Sequence, residues 1–154
     1  MTVPRMLFTL RAILVALIWG VVSFLVLVVF VIEPTRDANA EKIFLATLAA
    51  LISVELIAYV VVRRVWTGWL RRRFGDSQVE DDEPLIIKGF WTLAFIGAAM
   101  TEGASLFAVV IHMICASRPA LFVAGAGILL LLIQLPTLGR YRGFVERISG
   151  KRPA

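Results

Sequence analysis

The chain has 154 residues, of which 60% are hydrophobic and 18% charged, and it carries a formal net charge of +5. So apolar a composition excludes a water-soluble globule, because a chain this short leaves too much of its surface exposed to bury that hydrocarbon within itself. One cysteine and one histidine exclude an intramolecular disulfide framework and a His/Cys metal cage within one copy, so no metal and no cofactor are expected.

A helix needs roughly 20 apolar residues to cross a hydrocarbon layer of ~30 Å, and four stretches qualify, at about residues 7–32, 43–62, 85–115 and 119–138. The first is preceded by Arg5 and contains Arg11 near its start. Ala38-Asn39-Ala40 after it has the form of a signal-cleavage site, but the apolar run is far longer than a signal core, so a retained anchor is expected. The second stretch ends at Arg63 and Arg64. The connection at about residues 63–84 is basic in its first half (Arg71, Arg72, Arg73) and acidic in its second (Glu80, Asp81, Asp82, Glu83). Its first half should prolong helix two, with Trp66 and Trp69 at headgroup depth and the arginines toward lipid phosphate.

Helix three begins after the acidic run, and Pro119 suits the first turn of helix four. Beyond Pro136, at about residues 139–154, arginines alternate with Tyr141, Phe144, Val145 and Ile148, the pattern of an amphipathic helix lying on the inner leaflet. Lysine and arginine resist translocation. The first connection offers only Arg36 and Lys42 and the third only Arg118, against Arg63, Arg64, Arg71, Arg72, Arg73 and Lys88 in the second and Arg140, Arg142, Arg147, Lys151 and Arg152 in the tail. The expected architecture is therefore all-α: one transmembrane domain over 1–154, with four helices in an antiparallel bundle and both termini cytoplasmic. The plasma membrane of a bacterium is the expected location. The basic residues read as topology and as contacts to anionic headgroups, not as a nucleic-acid surface.

Polar groups within the spans carry the functional information, since a charge at mid-membrane costs roughly 2.5–3.5 kcal/mol on insertion scales. Two carboxylates qualify, Glu55 and Glu102. Counted at ~1.5 Å per residue from Arg63 and Gly89, their depths differ by about 8 Å, which predicts separate sites. Arg11, Glu55, Tyr59 and Gln134 are expected to form one buried polar clamp between helices one, two and four. Around Glu102 the chain is rich in small residues. Gly97, Thr101 and Ser105 repeat at intervals of four with Gly103 among them, and Ala46, Ala50 and Ala58 around Val54 offer a matching face on helix two, so helices two and three should pack as a tight hairpin. Ser105 would share a hydrogen bond with Glu102. His112 and Cys115 share a helix face but are too few for zinc, and Ser23, Thr47 and Ser53 have no second histidine or adjacent base to activate them.

The segment Met100-Thr101-Glu102-Gly103-Ala104-Ser105-Leu106-Phe107-Ala108-Val109-Val110 resembles the carboxylate-bearing helix of the proteolipid c subunits of rotary ATP synthases. Those subunits are hairpins with a cytoplasmic loop that assemble into a ring. The resemblance implies proton or sodium binding at Glu102, with Thr101 and Ser105 beside it. Helix two lacks the family's regularly spaced glycines, and the connection is longer than a c-subunit turn. The whole chain is thus similar to small four-helix bacterial membrane proteins carrying a c-subunit-like segment. The leading expectation is a non-enzymatic structural or accessory subunit, a homo-oligomer or part of a membrane complex, in which Glu102 is protonated and hydrogen-bonded between helices. Ion binding or translocation at Glu102 is the alternative, and quinone or haem handling in an electron-transfer complex is a lesser one.

Overall fold

The computed structural model describes residues 3–32, 38–74 and 83–149, which form five helices: α1 (Val3–Val31), α2 (Ala38–Phe74), α3 (Glu83–Cys115), α4 (Arg118–Ile133) and α5 (Leu138–Ser149). Arg36, the acidic run before Glu83, Lys151 and Arg152 lie outside the described residues. α1, α2 and α3 are each long and apolar enough to cross a membrane, and the bent pair α4–α5 makes a fourth crossing if taken as one span. This is the make-up of a multi-pass membrane protein.

α2 continues without a break to Phe74, as the basic half of the connection suggested. The fourth span, in contrast, is shorter than expected. α4 stops at Ile133, with Gln134 closing it by an N–H bond to the Leu130 carbonyl at 2.9 Å, and α5 departs at 75°. Pro136 has no N–H to continue the ladder, and its ring drives Leu135 out of the helical region. α4 alone is therefore only about 24 Å long.

α3 is the central helix. It packs against α1, α2 and α4, while α5 folds back onto α2 and α3. α1 and α3 run in one direction and α2 and α4 return: Tyr59 faces Gly97 and Trp66 faces Gly89 across α2–α3, and Ser105 faces Gly127 across α3–α4. The apolar core divides into two clusters. One, toward the starts of α1 and α3, joins Met6, Leu10, Leu70, Ile86 and Phe90 to Tyr141, Val145 and Ile148 of α5. The other, toward the far end, joins Val28, Leu48, Val109, Ile111 and Ala124.

The first cluster corrects the reading of the tail. Tyr141, Val145 and Ile148 are at most 8% exposed, and Phe90 meets the Tyr141 ring edge-on at 5.5 Å, so the apolar face of α5 covers protein instead of lying in the leaflet. An amphipathic stripe specifies an apolar partner but not which one, and the 75° bend brings the ends of α1 and α3 within reach. The two tryptophans also part company. Trp66 turns inward onto Gly89, while Trp69 stays 44% exposed beneath the Arg73 guanidinium, 5.5 Å from its ring. At the other end, α3 closes through Ala116, whose φ of 53° is left-handed, and His112 Nδ1 lies 3.0 Å from the Ser117 carbonyl. His112 therefore ties the α3–α4 turn together, beside a buried Cys115.

Candidate functional site: a cleft between α2 and α4

The small-residue stripe of α3 is divided: Thr101 and Ser105 meet α4, while Gly97 and Gly103 lie toward α2. Ser105 is buried, and its hydroxyl donates to the Thr101 carbonyl at 2.6 Å. Gly127 lies so close that an added Cβ would fall on Ser105 Oγ and come within 3.0 Å of Ser105 Cβ. One turn along α3, the Thr101 hydroxyl donates to the Gly97 carbonyl at 2.9 Å and accepts a bond from Gln134 Nε2 at 3.0 Å. Small side chains let two backbones approach, and each hydroxyl finds its acceptor on its own helix.

α2 and α3 do pack as a hairpin, but not through the expected alanine face. Ala46, Ala50 and Val54 are exposed, and Ala58 is only half-buried. α2 instead turns Leu48, Glu55, Tyr59, Trp66 and Leu70 toward its neighbours. These are spaced as one helical face, and the larger among them, Tyr59 and Trp66, are received by glycines of α3, Gly97 and Gly89. Glu102 is half-buried, and the expected bond from Ser105 is absent because that hydroxyl is turned to Thr101.

The clamp is divided. Arg11 does not reach Glu55: its Nε donates to the Pro136 carbonyl at 2.8 Å. α1 packs more closely on α3 and α4 than on α2, and the break at Pro136 leaves a backbone oxygen without a helical partner, which the guanidinium satisfies. Glu55, Tyr59 and Gln134 do face one space. The Tyr59 ring and Gln134 Oε1 lie 3.1 Å and 3.7 Å from where a Cβ on Gly97 would stand, and Glu55 Oε1 lies 3.8 Å from the corresponding point on Gly103. Glu55 is thus level with the residue after Glu102, not 8 Å away in depth. Counting from Arg63 misplaced it, because α2 runs straight on for eleven more residues and Arg63 does not mark a helix end.

The space those side chains share is a cleft of about 1170 Å³, floored by α3, walled by α2 and α4, and closed at one end by α5. Its upper part is apolar, from Ile52, Leu56, Met100, Val123 and Leu130. Midway stand Glu55, Tyr59, Thr101 and Gln134, and at the α5 end stand Arg63, Arg71, Arg140 and Arg147. Arg71 Nε donates to the Arg147 carbonyl at 2.7 Å, which fastens α5 to α2. Sequence reasoning had placed all four arginines on one membrane face but had not gathered them around one opening. The spacing of four between Arg63, Thr67 and Arg71 and of seven between Arg140 and Arg147 was the available signal, since both place residues on one helix face.

Nothing in this arrangement resembles a nucleophile with its base, and no three His, Cys, Asp or Glu side chains converge as a metal site among the described residues. The cleft is partly open, apolar above and cationic below. No family model, curated protein or solved structure matches the chain.

Proposed function

We propose that the protein is a small non-enzymatic subunit of a bacterial inner membrane, with both termini cytoplasmic, and that it joins a second copy or a larger complex through the outward face of α2. One observation carries this reading: α2 is the least covered of the long helices, and its small residues Ala46 and Ala50 face outward, unused by the fold. Within lipid there is no hydrophobic drive between helices, so association depends on close backbone approach, which an exposed small-residue face permits and a leucine-covered one does not. The positive charge beside the α2–α3 connection and the tail supports the orientation.

Photo-crosslinking in native membranes tests the proposal. A benzophenone side chain at Ala46 or Ala50 should yield a discrete adduct with a second copy or one partner subunit, whereas the same probe at the exposed Trp19 of α1 or Phe122 of α4 should not. Adducts of equal yield at all four positions, or at none, would remove the reading. A second reading, proton or sodium binding at Glu102, draws on the lack of a hydrogen-bond partner for that carboxylate among the described residues. It requires carbodiimide labelling of Glu102 that accelerates at acid pH, and loss of transport with intact assembly in Glu102→Gln.

A further inference from the structure

The cleft lies on the opposite side of α2 from Ala46 and Ala50, and its chemistry is independent of the association reading. Along α2, the apolar and polar sections from Ile52 to Arg63 extend about 16 Å, close to half of a ~30 Å hydrocarbon layer. Below that lie four guanidinium groups. Arg71 is tied to α5, but the side chains of Arg63, Arg140 and Arg147 make no bond with any described residue. Three cations without an ion-pair partner among the described residues, at the foot of a groove one leaflet deep, match an anion carried on a hydrocarbon chain. Tyr59, one turn above Arg63, and Gln134 across from it add hydrogen-bonding groups at the depth where ester carbonyls would follow a phosphate.

We propose that this cleft holds one anionic phospholipid, with its phosphate among Arg63, Arg140 and Arg147 and an acyl chain along Ile52, Leu56 and Leu130. The orientation given above makes it a lipid of the inner leaflet, but the pairing of phosphate with arginine does not depend on that orientation. α2 and α4 make at most marginal contact with one another, so the chain of the lipid fills a gap that protein leaves open.

Native mass spectrometry of the full-length protein in detergent, titrated with phosphatidylglycerol, provides the test. A one-to-one adduct should form at least tenfold more tightly than with phosphatidylcholine of the same chains. Arg63→Gln with Arg140→Gln should remove that preference, whereas Arg64→Gln with Arg142→Gln, an equal loss of charge from exposed arginines outside the cleft, should keep it. Ala126→Trp, which fills the upper cleft and keeps every arginine, should also lose the adduct. Equal weakening in the two arginine pairs would mean attraction to leaflet charge in general and would overturn the site. So would an adduct abolished by Glu55→Gln but indifferent to Arg63 and Arg140, which would assign the cleft to a cation.

Discussion

Two seams between the helices are built from opposite materials. Where α3 meets α4, Gly127 lies directly on Ser105 and Gln134 bonds Thr101, so backbones approach until no side chain fits between them. Where α2 faces α4 across α3, the side chains are Ile52, Leu56, Met100 and Leu130, and the helices stand apart around about 1170 Å³. In water the second arrangement would collapse, because apolar walls would close to expel solvent. In lipid there is no such force, so a seam closes only where packing and hydrogen bonds close it. The cleft is therefore a consequence of large residues on α2, just as the tight seam is a consequence of small ones on α3 and α4.

The sharpest way to break this contrast is Gly127→Ala. The new methyl must displace Ser105, whose Cβ would lie only 3.0 Å away, so unfolding in detergent should become easier by about 2 kcal/mol. Ser105→Gly in the same chain should restore most of that loss, whereas Gly125→Ala, with nothing within 4 Å of its added Cβ, should change little. Recovery failing in the double variant would mean that the seam is not held by backbone proximity.

A smaller effect is expected at the hinge that places α5 beneath the cleft. Arg11→Met deletes the donor to the Pro136 carbonyl and should cost about 1 kcal/mol, with faster proteolysis of the segment after Leu135. The Met side chain preserves most of the apolar stem, so the change reports the hydrogen bond. If protease sensitivity is unchanged, the bond does not hold α5 in place.

The smallest effect belongs to the open seam. Leu56→Ala and Leu130→Ala remove 61%- and 51%-exposed side chains from the cleft walls, and each should shift stability by less than about 0.5 kcal/mol. A loss of 2 kcal/mol or more at either position would show that these walls are packed against something in the purified protein. Bound lipid would make that loss depend on the amount of phosphatidylglycerol present.

The presence of the helices was legible from single residues and runs. The unbroken apolar stretches specified α1 and α3 and Arg63 to Arg73 continued α2, but the fourth stretch was carried through Pro136 to residue 138, past the end of α4 at Ile133. The facing of the helices was not legible in the same way. α2 is apolar nearly all round, so neither Ala46 and Ala50 nor Leu48, Tyr59 and Trp66 stood out as the inner side. Gln134 and Arg11 were recognised as polar groups needing partners, but Arg11 was paired with Glu55 because a charge suggests a counter-charge, and Thr101, the partner of Gln134, was read only as a small residue beside Glu102. The partner of Arg11 is a backbone carbonyl left without a helical donor by the break after α4.

What the chain alone determined was its solvent and its spans, since the transfer of apolar residues into hydrocarbon is a sum over local stretches and needs no knowledge of neighbours. Which helix lies beside which, the division of the fourth apolar stretch into a bent pair, and the gathering of four arginines around one cleft were decided only in three dimensions. The physical reason is that lipid and protein interior are equally apolar, so hydrophobicity cannot rank one helix face above another. That ranking rests on the fit of small against small and on hydrogen bonds between residues distant in the chain.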